Sequence, residues 1–368
     1  MEFYERLDRW VARGEERIGR RLFALANGAM LMAVAALCVR MESKPAVLGS
    51  AYAALSEDPF AFTRSPVGFR ILTPLLSWSV GLRGHDLMWT NLALAWLLLV
   101  VVFLVFRARA PRPGDALVAS ATLAFSLVTL STIFSPWYCD PATYLAVFGM
   151  WCLRERRVAF YVVFFLGLLN RESIAFLIPW FAFIDLAESR NRGRAVLEQL
   201  AGYGAALALL FLFRAWVASH GQVSLTLAFY LEPLRSDPLH YLRMTAGRQW
   251  IGLYSVFGVL WLIPAAAAAA MWRRGERVGP LSMALLLLVT WSQLLVAYDS
   301  SRLFTLGFLL MVVALDDCFQ HDDGRFRPWA LWLIGLQILA PQLRTAQKLV
   351  WVMETPLGQL ATKWLSGG

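Results

Sequence analysis

Three charges interrupt an apolar block between Pro136 and Pro179: Asp140, within Pro136-Trp137-Tyr138-Cys139-Asp140-Pro141, and Arg171 with Glu172, within Asn170-Arg171-Glu172-Ser173. An ionisable side chain in sequence hydrophobic enough for lipid is costly unless it is paired or used. A carboxylate such as Asp140 suits a general base, the better when exclusion of water raises its pKa. A guanidinium such as Arg171 suits a departing phosphate, because it offers two hydrogen bonds to oxygens that gain negative charge. Together these types could transfer a group from a phosphodiester. Arg70 and Arg302 are further phosphate ligands, Asp58 and Glu57 further acids, and Asn170, Glu172, Asp299 and Tyr138 supporting groups.

The same residues have structural readings, which stay open at this point. Asp140 before Pro141 suits the start of a helix, with Asp as N-cap and Pro in the first turn. Arg171 and Glu172 could clamp each other, or Arg171 could clamp Asp140. Asp299 and Arg302, three apart, suit a local ion pair, and Glu57-Asp58-Pro59 suits a solvated turn. His220 and His240 lack ligand spacing, and the four cysteines show no CxxC, so no metal residues are assigned. A divalent ion accompanying a phosphate substrate is left open, as is a bridge between Cys38 and Cys139.

The elements that must position these groups are membrane helices. Of the 368 residues 59% are hydrophobic and 16% charged, and the mean hydropathy is +0.56; apolar runs recur from end to end, which excludes a soluble globule. The net charge of +9 comes from basic residues clustered in short loops between those runs, a topology signal and not a nucleic-acid footprint. The fold class is therefore all-α and polytopic.

Residues 1–21 read as an amphipathic helix on the inner surface, with Phe3, Leu7, Trp10, Val11 and Ile18 at helical spacing. Six arginines before the first span, 22–39, place the N-terminus in the cytoplasm. An outer loop over 40–86 follows, with 67–82 lying in the outer interface. Further membrane segments are expected at 87–106, 116–136, 142–153, 158–169, 174–186, 201–218, 250–271, 281–297, 303–315 and 328–340. With the first span they make about eleven, several too short to cross roughly 30 Å of hydrocarbon as helices. A second long outer loop covers 219–249. The polytopic domain spans 22–341, and 342–368 is expected as an outer interfacial helix, leaving the C-terminus outside. The expected location is a bacterial inner membrane.

This count puts Glu57, Asp58, Arg70, Asp140, Arg171, Glu172, Asp299 and Arg302 on one face, and the Arg clusters at 107–112, 154–157, 190–194 and 273–277 on the other. A one-sided polar site is what an enzyme with a lipid-held substrate needs. A transporter would place charges near the midplane and show inverted repeats, and no repeat is found.

One span, a long outer loop, an acid at the second outer loop and the turn Gly167-Leu-Leu-Asn-Arg-Glu-Ser-Ile-Ala-Phe-Leu-Ile-Pro179 together resemble the GT-C superfamily over residues 22–186. These are polytopic glycosyltransferases that use polyprenyl-phosphate-linked sugars. The resemblance implies an inverting transfer to a glycan, lipid or protein acceptor at the outer face, with an outer-loop carboxylate as base and a basic residue on the lipid phosphate. Many members carry the catalytic acid directly after the first span, where this chain offers only Glu42. Two other functions stay open: a non-catalytic or transporting protein for lipid-linked saccharides, as flippase or scaffold, and a polysaccharide polymerase or ligase.

Overall fold

The computed structural model describes residues 2–61, 66–220, 235, 237, 239–244, 246–295, 299–321, 325–340, 342–345 and 349–353. The described chain is overwhelmingly helical. In order the helices are α1 (Glu2–Ile18), α2 (Arg20–Cys38), α3 (Val47–Glu57), α4 (Leu72–Ser79), α5 (Leu87–Arg109), α6 (Pro113–Ala124), α7 (Leu127–Phe134), α8 (Asp140–Leu153), α9 (Arg157–Asn170), α10 (Ile178–Glu188) and α11 (Arg192–His220). Then come α12 (His240–Met244), α13 (Gln249–Phe257), α14 (Leu262–Arg273), α15 (Val278–Ser292), α16 (Ser300–Phe304), α17 (Leu309–His321) and α18 (Phe326–Leu339).

Among the described residues six helical stretches are long and apolar enough to cross a membrane: 20–38, 84–109, 192–220, 249–273, 278–295 and 300–321. A seventh is formed if α6 and α7, bent by 49° at their junction, make one span. The protein is thus a helical membrane protein. Helices α8, α9, α10 and α18 have 11 to 14 residues, or about 17–21 Å at 1.5 Å per residue, short of the hydrocarbon thickness.

Packing follows the sequence pattern. Helices α6 and α7 are buried along nearly their whole length, and apart from Asp115, which Arg327 pairs, their side chains are apolar or small. Helix α11 turns Leu197, Leu200, Leu209, Phe211 and Leu212 outward, a face compatible with lipid. Helix α9 ends at Asn170, and a 3-10 turn over Glu172–Leu177 leads into α10, so residues 158–184 are two helices meeting at a polar turn. Gly167 makes that turn possible: a Cβ there would lie 2.6 Å from Ile174 Cδ1 and 3.1 Å from Ala146 Cβ.

One expectation is corrected and two open readings are closed. The C-terminal segment does not begin as a helix: Gln342–Thr345 (β1) pairs antiparallel with Leu349–Met353 (β2), in keeping with the β-branched and aromatic Val350, Trp351 and Val352; residues 354–368 lie outside those described. Asp140 is not an N-cap, for Cys139 stands at that position and the Asp140 carboxylate is bonded to distant arginines. Cys38 and Cys139 are free thiols.

Loops assigned to a common face from the sequence do meet in space. Arg107 bonds Glu15, Arg109 pairs with Asp316 at 3.8 Å, Arg274 with Asp317 at 2.5 Å, and Arg327 with Asp115 at 2.8 Å. The opposite end of the bundle gathers most of the other set, namely Arg70, Asp140, Arg171, Glu172, Asp299 and Arg302.

Candidate functional site

At that end five guanidiniums and four carboxylates form one polar layer. Its centre is Asp140, at the first turn of α8. Arg302, from α16, donates to it from Nε to Oδ2 at 2.7 Å and from Nη2 to Oδ1 at 2.9 Å. Arg171, at the end of α9, donates from Nη1 to Oδ1 at 2.8 Å. All three side chains are buried. Thr305 fixes the backbone beneath by donating to the carbonyl of Arg302 at 2.7 Å.

Asn170 pegs the turn in place. Its Nδ2 donates to the carbonyl of Cys139 at 2.6 Å and to Thr143 Oγ1 at 2.8 Å, while its Oδ1 accepts from Thr73 Oγ1 at 2.6 Å. One amide therefore ties α9, α8 and α4 together, and the neighbouring Arg171 and Glu172 are aimed in opposite directions.

Glu172 turns toward the long first loop. Arg70 donates to it from Nε at 3.0 Å and Nη2 at 3.3 Å, and from Nη1 to Tyr52 at 3.1 Å. Arg214, on α11, pairs with the same carboxylate at 3.3 Å and lies over the ring of Phe69. Burial would raise the Glu172 carboxyl, but the adjoining Arg70 charge and its hydrogen bonds outweigh it and hold the group down at about 2.

The third part is aromatic. Arg302 lies over the ring of Tyr138 at 4.1 Å, and Arg344, on β1, approaches the same ring at 4.9 Å, both within cation–π reach. Asp299 pairs with both, at 3.6 Å to Arg302 and 3.5 Å to Arg344. Arg344 also donates to Ser135 Oγ at 3.3 Å, and Ser135 donates onward to Glu42. Glu42 is held by its own backbone, whose N–H donates to the carbonyl of Phe134 at 2.8 Å. It is half-buried.

The structure thus brings together Asp140, Arg171, Arg302, Asp299 and Tyr138, and beside them Asn170, Glu172 and Arg70. It does not bring in Glu57 and Asp58. Both are exposed at the end of α3, and Asp58 accepts from the N–H of Phe60 at 3.1 Å, the local turn its sequence suits. Most of the second long loop lies outside the described residues; His240 opens α12 there.

Two arginines and one acid were missed as site residues from the sequence. Arg214 sits inside an apolar span, and that position was itself a signal, since such a residue marks a site by default. Arg344 lay in a segment read as an interfacial helix. Glu42 gained its place only through the Phe134–Ser135 segment, 92 to 93 positions away.

Among the described residues one cluster could offer metal ligands: Glu276, Asp317 and His321 have ligand atoms within 4.8 Å of one another. Arg274 already bridges Glu276 at 2.9 Å and Asp317 at 2.5 Å, so a cation would compete with a guanidinium. It lies at the far end of the 300–321 span from Arg302, about 28 Å away at 1.5 Å per residue. No protein-family model matches the chain, and no curated protein or solved structure is significantly similar to it.

Proposed function

We propose that this protein is a membrane glycosyltransferase of GT-C type that takes its sugar from a polyprenyl-phosphate-linked donor at one face of the bilayer. The observation that carries this reading is the charge of the polar layer. Among the described residues joined by ion pairs and hydrogen bonds here, Arg70, Arg171, Arg214, Arg302 and Arg344 stand against Glu42, Asp140, Glu172 and Asp299, five positive against four negative. One phosphodiester charge balances that excess, and the guanidiniums present the forked donors a phosphate needs.

The geometry divides the labour differently from a reading with Asp140 as base. Two guanidiniums occupy the Asp140 oxygens, so its role here is to order Arg171 and Arg302. Glu42 stands where the GT-C resemblance calls for the catalytic acid, directly after the first span, and only Ser135 bonds its carboxylate among the described residues. In this mechanism Glu42 takes the proton of the acceptor hydroxyl, and the acceptor oxygen attacks the anomeric carbon from the face opposite the phosphate. The carbon–oxygen bond to phosphate breaks, and its electron pair goes to the phosphate oxygen. Arg344 and Arg302 meet that growing charge.

A cavity of about 300 Å³ between α13 and α15, lined by Trp250, Leu253, Leu288, Trp291 and Phe304 among others, opens two residues from Arg302. Its apolar walls suit the prenyl chain. The eleven-segment arrangement, the inner-membrane location and the outward-facing site belong to this proposal. The saturation of Asp140 and Glu172 by arginines favours a second reading, a scaffold that binds the lipid phosphate without transfer.

The test is release of polyprenyl phosphate from a panel of polyprenyl-phosphate-linked sugars by purified protein in liposomes, with donor binding measured in parallel. Glu42→Gln is expected to retain binding and lose release by about a hundredfold or more. Unchanged release in that variant overturns the assignment of the base. Binding without release by the wild-type chain over the whole panel selects the scaffold, and absence of binding overturns both.

A further inference from the structure

A second and larger cavity lies elsewhere, at the hinge between α1 and α2. It holds about 570 Å³. Trp10, Arg13 and Arg17 line it from α1, at i, i+3 and i+7, so they share one helix face. Phe23, Asn27 and Met30 line it from α2, at i, i+4 and i+7, again one helix face. Gly14 brings the two helices close, since a Cβ there would lie 2.3 Å from the ring of Phe23. The chain reverses at Gly19, whose φ of +80° favours a glycine.

This cleft is held open by contacts on the other side of α1. Tyr4 donates to Asp115 at 2.5 Å, Asp8 accepts from the N–H of Gly114 at 2.8 Å, and Glu15 bonds Arg107 at 2.9 Å. Those bonds use the acids of α1 on the protein side. Arg13 and Arg17 stay exposed on the cavity side, and neither is in an ion pair among the described residues. Asn27 is 3% exposed; its Nδ2 donates to Ser120, while its Oδ1 has no hydrogen-bond partner.

We propose that this cleft is a binding site for one anionic glycerophospholipid. The phosphate is held by Arg13 and Arg17, whose spacing of one turn lets both reach one headgroup. A headgroup hydroxyl supplies the donor that Asn27 Oδ1 lacks, and an acyl chain descends along Phe23 and Met30. Trp10, 44% exposed, sits at the level of the headgroups, where an indole is favoured. The site is separate from the arginine layer around Asp140 and does not depend on the glycosyltransferase reading.

The measurement is native mass spectrometry of the full chain in detergent, titrated with dioleoyl phosphatidylglycerol, dioleoyl phosphatidylcholine or inorganic phosphate. The wild-type chain is expected to retain one phosphatidylglycerol in preference to phosphatidylcholine. Arg13→Gln with Arg17→Gln weakens that binding by roughly tenfold or more, whereas Arg9→Gln with Arg21→Gln, which removes the same charge, leaves it close to wild type. Met30→Trp, which fills the cleft without a change of charge, also loses the lipid. Equal loss in the Arg9/Arg21 variant, equal retention of phosphatidylcholine, or full retention in Met30→Trp overturns the site. Displacement of the lipid by inorganic phosphate at matching concentration identifies a free-anion site instead and overturns the lipid assignment.

Discussion

Arg302 and Asp140, 162 positions apart, meet in a two-bonded pair of 2.7 and 2.9 Å with Arg171 as a third member at 2.8 Å. The pair joins α16 to α8 where both are buried. Removing one partner of a buried ion pair leaves an uncompensated charge, which costs about 3–5 kcal/mol, whereas replacing both by apolar groups is close to neutral. Asp140→Ala is therefore expected to destabilise by an amount of that order. Asp140→Leu combined with Arg171→Met and Arg302→Met, which leaves neither guanidinium without its carboxylate, is expected to recover much of the loss. Thermal unfolding in detergent checks both, and equal destabilisation of the single and triple variants would show that the three groups are not coupled.

Glu172 gives the layer a pH dependence. Its carboxyl is held at about 2 against an ordinary 4.5. A group depressed in the folded state stabilises that state at pH above its unfolded value, and the contribution fades as pH falls toward its folded value. The window is therefore about pH 4.5 down to 2, with an effect on the order of 2 kcal/mol. Glu172→Gln is expected to lower stability at pH 7 and to flatten the curve across that window. A wild-type and a variant curve that run parallel from pH 5 to 3 would remove Glu172 as the titrating group.

Much of this layer was legible before any coordinates. Asp140 and Arg171 stood out because lipid-like sequence makes each charge conspicuous, and counting arginine-bearing loops placed both with Arg70, Glu172 and Arg302. What escaped was pairing. That Arg171 takes Asp140 while its neighbour Glu172 takes Arg70 follows from the backbone direction at Asn170, which three tertiary hydrogen bonds set. Arg344 escaped because the Trp and Lys pattern of its segment suits an interfacial helix as well as a hairpin. Span length was legible as well: α8, α9 and α10 are apolar enough for lipid but, as the short runs in the sequence already indicate, too short to cross it.

Arg214 separates binding from folding. It shares Glu172 with Arg70, which makes the two-bonded contact and keeps Glu172 paired in its absence. Arg214→Leu is expected to cost less than about 1 kcal/mol, as a partly exposed member of a network does. Polyprenyl-phosphate affinity falls by roughly tenfold, about 1.4 kcal/mol, through loss of one phosphate-seeking charge. Isothermal titration with a short-chain polyprenyl phosphate measures it. Full affinity with unchanged stability would place Arg214 outside the site.

Gly167 controls where Arg171 stands, because the N–H of Arg171 donates to the carbonyl of Gly167 at 2.8 Å. An alanine Cβ would press on Ile174 Cδ1 at 2.6 Å and on Ala146 at 3.1 Å. The first neighbour is the end of a flexible side chain and can move, while the second is fixed to its backbone. Gly167→Ala is expected to cost about 1–3 kcal/mol, the range for overpacking a filled core. Ile174→Val, which deletes the Cδ1 atom, restores part of that stability when combined with it, although alone it is mildly destabilising. Unfolding of the two single variants and the double variant gives the coupling, and polyprenyl-phosphate binding tells whether Arg171 has returned to its place. Strictly additive costs would mean that the helix turn, and not the contact with Ile174, is what excludes a side chain at Gly167.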